Sequence, residues 1–163
     1  MAKKAKVTDW NSYYERPYKL SSFTRDYTQK TLINCISRYS NSKDAISIME
    51  LGGANSCFYD GIRNEFNLSE YTAVDSNEFG LQLLANRVQD KTLTIKQSDI
   101  FKLTSDKKYD IVYSVGLIEH FDPDLTKKAI EKHFEFVKPG GIVIITFPTP
   151  TLLYRTVRKA VSY

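Results

Sequence analysis

With 163 residues, 42% of them hydrophobic and 26% charged, the chain has the size and mixture of one globular domain with a real core. Its formal charge of +4 is gathered at the ends, in Lys3, Lys4 and Lys6 and in Arg155, Arg158 and Lys159; setting those six aside leaves the body at about −2, which argues against a nucleic-acid partner. No apolar run reaches the length of about eighteen residues that spans a membrane, no signal-peptide core opens the chain, and Cys35 and Cys57 lack metal spacing, so a cytoplasmic protein with reduced thiols is expected.

Residues 7 to 23 show no periodicity but hold Trp10, Tyr13, Tyr14, Tyr18 and Phe23. Such aromatic density suits either a strap packed over the core or a lid that closes on a ligand. A helix is predicted from about Thr24 to Tyr39, because Thr28, Leu32, Cys35, Ile36 and Tyr39 share one face. Ser40 to Asp44 then form a polar loop, so that residues 1–45 read as an appendage and 46–163 as the core of a single domain.

Ile46, Ile48, Met49 and Leu51 make the apolar run of a buried parallel strand, broken abruptly by Gly52-Gly53. Asn55 and Ser56 are helix-capping residue types, and Phe58, Ile62 and Phe66 recur at a spacing of four, which predicts a tight turn from strand into helix. Two residues without side chains let a ligand approach the backbone, and Glu50 brings a carboxylate to the strand end where open α/β sheets bind ligands. An acidic residue followed by a glycine turn resembles the first motif of class I S-adenosylmethionine-dependent methyltransferases.

Tyr71 to Val74 form a second strand, and Asp75, Ser76 or Asn77 caps a helix carrying Leu81, Leu84, Ala85 and Val88. Asp75 lies 23 positions after Gly52, a spacing that puts its carboxylate at the tip of the neighbouring strand, within reach of a ribose diol. A third strand covers Leu93 to Lys96. The resemblance implies that Asp99 after it faces an adenine amino group, with Ile100 against the ring. The fourth strand, Asp110 to Ser114, leads into Val115-Gly116-Leu117-Ile118-Glu119-His120-Phe121, similar to the post-strand segment of small-molecule methyltransferases.

Asp122-Pro123 opens a helix with Leu125, Ala129, Ile130, His133, Phe134 and Val137 on its buried face. Lys138-Pro139-Gly140-Gly141 is expected to stop it before the strand Ile142 to Phe147. His133, on the apolar stripe, reads as structural. Leu152 to Val161 mark a last amphipathic helix.

Five strands alternating with helices define an α/β, doubly wound, mostly parallel sheet ordered 3-2-1-4-5 with helices on both faces; measured against the family it resembles, the chain is expected to lack the last two strands of the usual seven. The resemblance covers roughly residues 46 to 148 and implies S-adenosylmethionine as cofactor and a small-molecule acceptor methylated at O, N or C. It further implies a cofactor site of Glu50, Gly52, Gly53, Asn55, Asp75, Ser76, Asp99, Ile100, Ser114 and Gly116; outside the span of the resemblance, Arg25 at the start of the first helix is a candidate for a methionine carboxylate, and Tyr14 in the leader for closing over the cofactor. His120 is the candidate general base, with anchoring of its loop by a hydrogen bond as the alternative role, and no metal is expected. A nicotinamide dehydrogenase would need a third glycine in the turn, which is absent. The alternative within the family is a cofactor-binding fragment without turnover. The apolar strand 142–147, with an open edge, is expected to self-associate or to be covered by further chain.

Overall fold

The structure is a computed structural model that describes residues 9–15, 21–40 and 44–148. Every residue of β1 (Ile46–Leu51) is buried, as its apolar run requires of a strand covered on both faces. Beside it stand β2 (Leu68–Asp75) and β4 (Tyr109–Val115), with β3 (Leu93–Gln97) and β5 (Val137–Thr146) outside them. The order is β3-β2-β1-β4-β5 and every pairing is parallel, as predicted. Among the described residues β5 is an outer strand.

The sheet separates two apolar layers. On one face Ile48, Tyr71, Ala73, Ile111 and Tyr113 pack against α2 (Ser21–Tyr39), α3 (Tyr59–Glu65) and α4 (Glu78–Arg87) through Leu32, Ile36, Ile62, Leu81 and Leu84. On the other, Met49, Leu51, Val74 and Val112 pack against α5 (Pro123–Phe136) and the segment after β3, through Ala129, Phe136, Ile100 and Leu103. Alternation along the strands sends Glu50 and Tyr113 toward the first layer and Ser114 toward the second.

Two boundaries differ from the sequence reading. Neither Asn55 nor Ser56 caps a helix: Asn55 is left-handed (φ 46°), and α3 starts only at Tyr59, after a Phe58 N-cap without a side-chain hydrogen bond. Its left-handed backbone goes with the Asn55 amide donating to the Gly80 carbonyl at 2.9 Å, which takes the chain out of any helical path at that point. The Lys138-Pro139-Gly140-Gly141 segment does not merely end α5. β5 already pairs at Val137 with Tyr109, then resumes at Ile142 with Ile111, so the four residues bulge out of the ladder. Gly140 is left-handed (φ 79°), and a Cβ on Gly141 would lie 2.7 Å from the Asp110 carbonyl. Asp110 anchors the strand starts, accepting from the Ser47 amide (2.8 Å) and hydroxyl (2.6 Å) and from the Lys138 ammonium (2.8 Å). The predicted helix at 152–161 lies outside the described residues.

His133 is structural, as its stripe implied. Its Nδ1 sits 2.7 Å from the Ala129 carbonyl, which can only accept, so Nδ1 donates and Nε2 accepts from the Ser114 hydroxyl at 2.9 Å. Burial holds this imidazole below its ordinary pKa, in keeping with a neutral ring. Ser114→Ala leaves a buried ring nitrogen without its donor and is expected to cost about 1–3 kcal/mol in urea unfolding; a variant as stable as the parent would show that Nε2 does not depend on that hydroxyl.

Candidate functional site at the carboxyl ends of β1, β2 and β4

The turn after β1 is tied to its neighbour by its own backbone. Gly52 and Gly53 amides both donate to the Val74 carbonyl, at 2.8 and 3.0 Å, and the Ala54 amide donates to Asp75 Oδ2 at 3.1 Å. These amides point into the protein, and α3 begins several residues later, so the turn is no phosphate cradle at a helix N-terminus. The glycines serve close packing as well as chain direction. Gly52 is left-handed (φ 79°), and an added Cβ would stand 3.1 Å from Leu117 Cδ1 of the loop after β4; one on Gly53 would stand 3.0 Å from Glu50 Oε2.

Under the turn lies Glu50, 2% exposed. The Tyr71 hydroxyl donates to its Oε2 at 2.5 Å, Tyr71 and Tyr113 share a short hydrogen bond between their hydroxyls, and Ser56 Oγ is 3.4 Å from the Tyr71 hydroxyl. Burial raises the Glu50 pKa to about 7, against the hydrogen bonds of Tyr71, Ser56 and Tyr113, which favour the charged form; the Asp75 charge raises it further. The two tyrosine hydroxyls are correspondingly pushed up, first by burial and then by the Glu50 charge.

Asp75 ends β2 with its carboxylate split between two segments: Oδ2 takes the Ala54 amide and Oδ1 the Asn77 amide at 2.8 Å. Burial raises its pKa, against these amide hydrogen bonds. Each oxygen retains a second acceptor lone pair, the capacity a vicinal diol requires. Ser76 is exposed beside it, and Asn77, of the three possible caps, is the one that caps α4, accepting from the Gly80 amide at 2.6 Å. Past β3, the Ser98 amide donates to the Asp75 carbonyl (2.8 Å), which holds the exposed Asp99 next to the β2 tip; its Oδ1 accepts from the Phe101 amide at 2.9 Å.

Across the crevice, β4 ends at Gly116, left-handed (φ 68°), whose amide donates to the Thr146 carbonyl. The loop then makes a single 3-10 turn, Ile118–His120. Glu119 Oε1 lies 3.4 Å from where a Gly116 Cβ would be, and burial raises its pKa. His120 is exposed, and its ring meets Trp10 edge-on at 5.1 Å between centroids. Trp10 belongs to α1 (Trp10–Glu15), which spans the mouth: Asn77 Nδ2 donates to Asn11 Oδ1 at 2.7 Å, and a Cβ on Gly80 would be 2.9 Å from the Tyr14 ring. Arg25, on α2, stands near enough to Cys57 to lower a thiol pKa that burial pushes up to about 11.

Glu50, Gly52, Gly53, Asn55, Asp75, Ser76, Asp99, Gly116 and His120 thus lie at or just beyond the carboxyl ends of β1 to β4, and Tyr14 lies on α1, which meets α4 and His120. Ser114 does not join them: its hydroxyl is spent on His133 on the far face of the sheet. Ile100 is likewise packed in the α5 layer. Tyr71, Tyr113, Leu117, Glu119 and Trp10 were not picked out from sequence as site residues. The signal for the tyrosines was present, since a tyrosine inside a buried strand must find a partner for its hydroxyl and a carboxylate sat in the adjoining strand. Among the described residues no three His, Cys, Asp or Glu side chains are grouped to hold a metal, and no helix is long and apolar enough to cross a membrane.

A parallel 3-2-1-4-5 sheet with a glycine turn after β1 and carboxylates at the tips of β1 and β2 is the architecture of a Rossmann-like methyltransferase. The family model described as "Methyltransferase domain" matches residues 49–143, and the chain belongs to that family. No curated protein sequence matches it. Among solved structures it is similar to the N-methyltransferase NodS from Bradyrhizobium japonicum in complex with S-adenosyl-L-homocysteine (TM-score 0.61, 16% identity, covering 86% of this chain and 67% of that one). It is also similar to an S-adenosylmethionine-bound amino pentose methyltransferase from Micromonospora echinaspora (0.66, 12%, 92% and 61%). A third is an S-adenosylmethionine-dependent methyltransferase from Clostridium acetobutylicum (0.68, 19%, 85% and 57%). The chain therefore spans about two thirds or less of the length of these proteins.

Gly52→Ala is expected to lose more stability than Gly140→Ala. Both sites are at φ 79°, where a side chain costs about 1–2 kcal/mol, but only Gly52 has Leu117 against the new methyl, whereas nothing lies within 4 Å at Gly140. Equal urea midpoints for the two variants would show that Leu117 moves aside freely.

Proposed function

We propose that the chain is an S-adenosylmethionine-dependent methyltransferase acting on a small-molecule acceptor. The observation that carries this reading is the Asp75 carboxylate, fixed at the β2 tip by the Ala54 and Asn77 amides with acceptor capacity left on both oxygens. In this reading Asp75 accepts from the two ribose hydroxyls, Asp99 from the adenine amino group, and the Gly52-Gly53 turn with Gly116 lines the path between. Ile100 and Ser114 take no part through their side chains, since both are turned into the α5 layer. Support also comes from two structural neighbours, one with S-adenosyl-L-homocysteine bound and one with S-adenosylmethionine.

Bound there, S-adenosylmethionine supplies a methyl group already activated by its sulfonium, so the protein contributes chiefly position. His120, exposed at the lip and held against Trp10, takes the proton of an acceptor that must lose one. A nitrogen acceptor is favoured by the neighbours, one an N-methyltransferase and one an amino pentose methyltransferase. A dinucleotide is disfavoured by the inward-facing turn amides, which offer a pyrophosphate no donors.

Calorimetric titration should show binding of S-adenosylhomocysteine and none of NAD. Asp75→Ala should weaken that binding at least about tenfold, since hydrogen bonds to charged groups contribute about 1.5–3 kcal/mol; unchanged affinity would remove Asp75 from the site. His120→Ala should leave cofactor affinity within about threefold and slow methyl transfer roughly a hundredfold. If binding collapses instead, the histidine supports the crevice wall and is not the base. Cofactor binding with no transfer to any amine or hydroxyl acceptor would favour a cofactor-binding part without turnover.

A further inference from the structure

Glu50 is a buried carboxyl held by hydroxyls, and no ion pair found among the described residues includes it. Arg63–Asp90, Arg87–Asp60, Lys107–Glu70, Lys132–Glu135 and Lys138–Asp110 all pair away from it. What faces the carboxylate is hydroxyl and like charge: Tyr71 from β2, Tyr113 from β4, Ser56 from the turn and Asp75 at the β2 tip. Cys57 lies next to it, with Arg25 of α2 and Arg87 of α4 acting on that thiol. Three hydroxyls preserve the shape of the site whether the carboxyl is charged or neutral, because a hydroxyl can turn from donor to acceptor. A buried carboxylate without a cation is costly, and a binding crevice is where such a cost has a use.

Resting on the proposed cofactor, we propose that Glu50 is the buried counter-charge for its sulfonium, a specificity-determining residue that makes the site prefer the charged methyl donor to the neutral thioether product. The two ligands share the nucleoside and the amino-acid end and differ in one positive charge at sulfur. Gly53 sets no side chain against Glu50 Oε2, where a Cβ would stand at 3.0 Å, so the turn covers the carboxyl there with backbone alone, and a carboxyl buried in low dielectric acts on a nearby charge more strongly than one in water.

The consequence is a linkage to pH. A carboxyl that titrates at about 7 in the free protein must give up its proton to act as counter-charge, so donor binding releases protons near neutrality and tightens as pH rises. The product, lacking the sulfonium, draws no such response. The expected result is an about tenfold gain in S-adenosylmethionine affinity between roughly pH 6 and pH 8, with S-adenosylhomocysteine changing less than about twofold. Titrations in two buffers of different ionisation enthalpy should find about half a proton released per donor bound near pH 7 and none for the product. Glu50→Gln, which keeps the hydroxyl contacts, should abolish the donor's pH dependence, and His120→Asn should retain it. Equal pH slopes for the two ligands, or a slope that survives Glu50→Gln, would overturn the proposal. If Glu50→Gln does not fold, the comparison of the two ligands on the unaltered protein decides. Failure of both ligands to bind would sink the cofactor reading itself, whereas binding of both with equal slopes would sink only the role of Glu50.

Discussion

The Val74 carbonyl accepts two amides, those of Gly52 and Gly53, and the geometry of the crevice follows from that bond pair. Parallel pairing of β1 with β2 runs to Leu51 and Val74. One more residue of strand would carry the chain past the sheet, but a left-handed Gly52 swings the next amide back onto the same carbonyl. Asp75 then takes the Ala54 amide, so three successive amides of the turn are satisfied by the last two residues of β2. Buried amides are expensive to leave unpaired, which fixes the turn more firmly than any single net hydrogen-bond energy of about 1 kcal/mol suggests. The same economy of donors separates this site from a pyrophosphate cradle, which needs those amides free.

Glu50 shows how the floor of the crevice tolerates a charge. Desolvation disfavours its ionised form, and the hydroxyls of Tyr71, Tyr113 and Ser56 return part of that loss. Because the folded carboxyl binds its proton more tightly than an unfolded one, its contribution to stability is present below the ordinary value of 4.5 and is lost as pH rises through about 7. A group that destabilises the fold near neutrality while sitting under the glycine turn after β1 is one whose burial the core alone does not reward.

The two walls of the crevice are joined by α1. Asn11 holds the α4 side through Asn77, and Trp10 holds the β4 side through His120, while Tyr14 packs on Gly80. A six-residue helix has little stability of its own, so these contacts are what keep it in place. Of the aromatic leader, read from sequence as strap or lid, the described helix α1 touches both sides, Trp10 at His120 and Asn11 and Tyr14 at Asn77 and Gly80.

Sheet order, strand positions and the start of α5 were legible in the sequence because they are local or topological: apolar runs, period-four stripes, the Asp122-Pro123 cap and the right-handed crossover rule. The carboxylate at the β2 tip was legible too, since its distance along the chain from the glycine turn fixes where a βαβ unit puts it. What the sequence left open was decided by register and by which face each strand residue takes. Period two sends Glu50, Tyr71 and Tyr113 to one layer and Ser114 to the other, but only the pairing of Glu50 with Tyr113 in the sheet brings the hydroxyls to the carboxyl and Ser114 to His133. The late start of α3 and the bulge at Lys138 to Gly141 likewise depend on partners far along the chain, Gly80 for one and Asp110 for the other, which no local window of sequence contains.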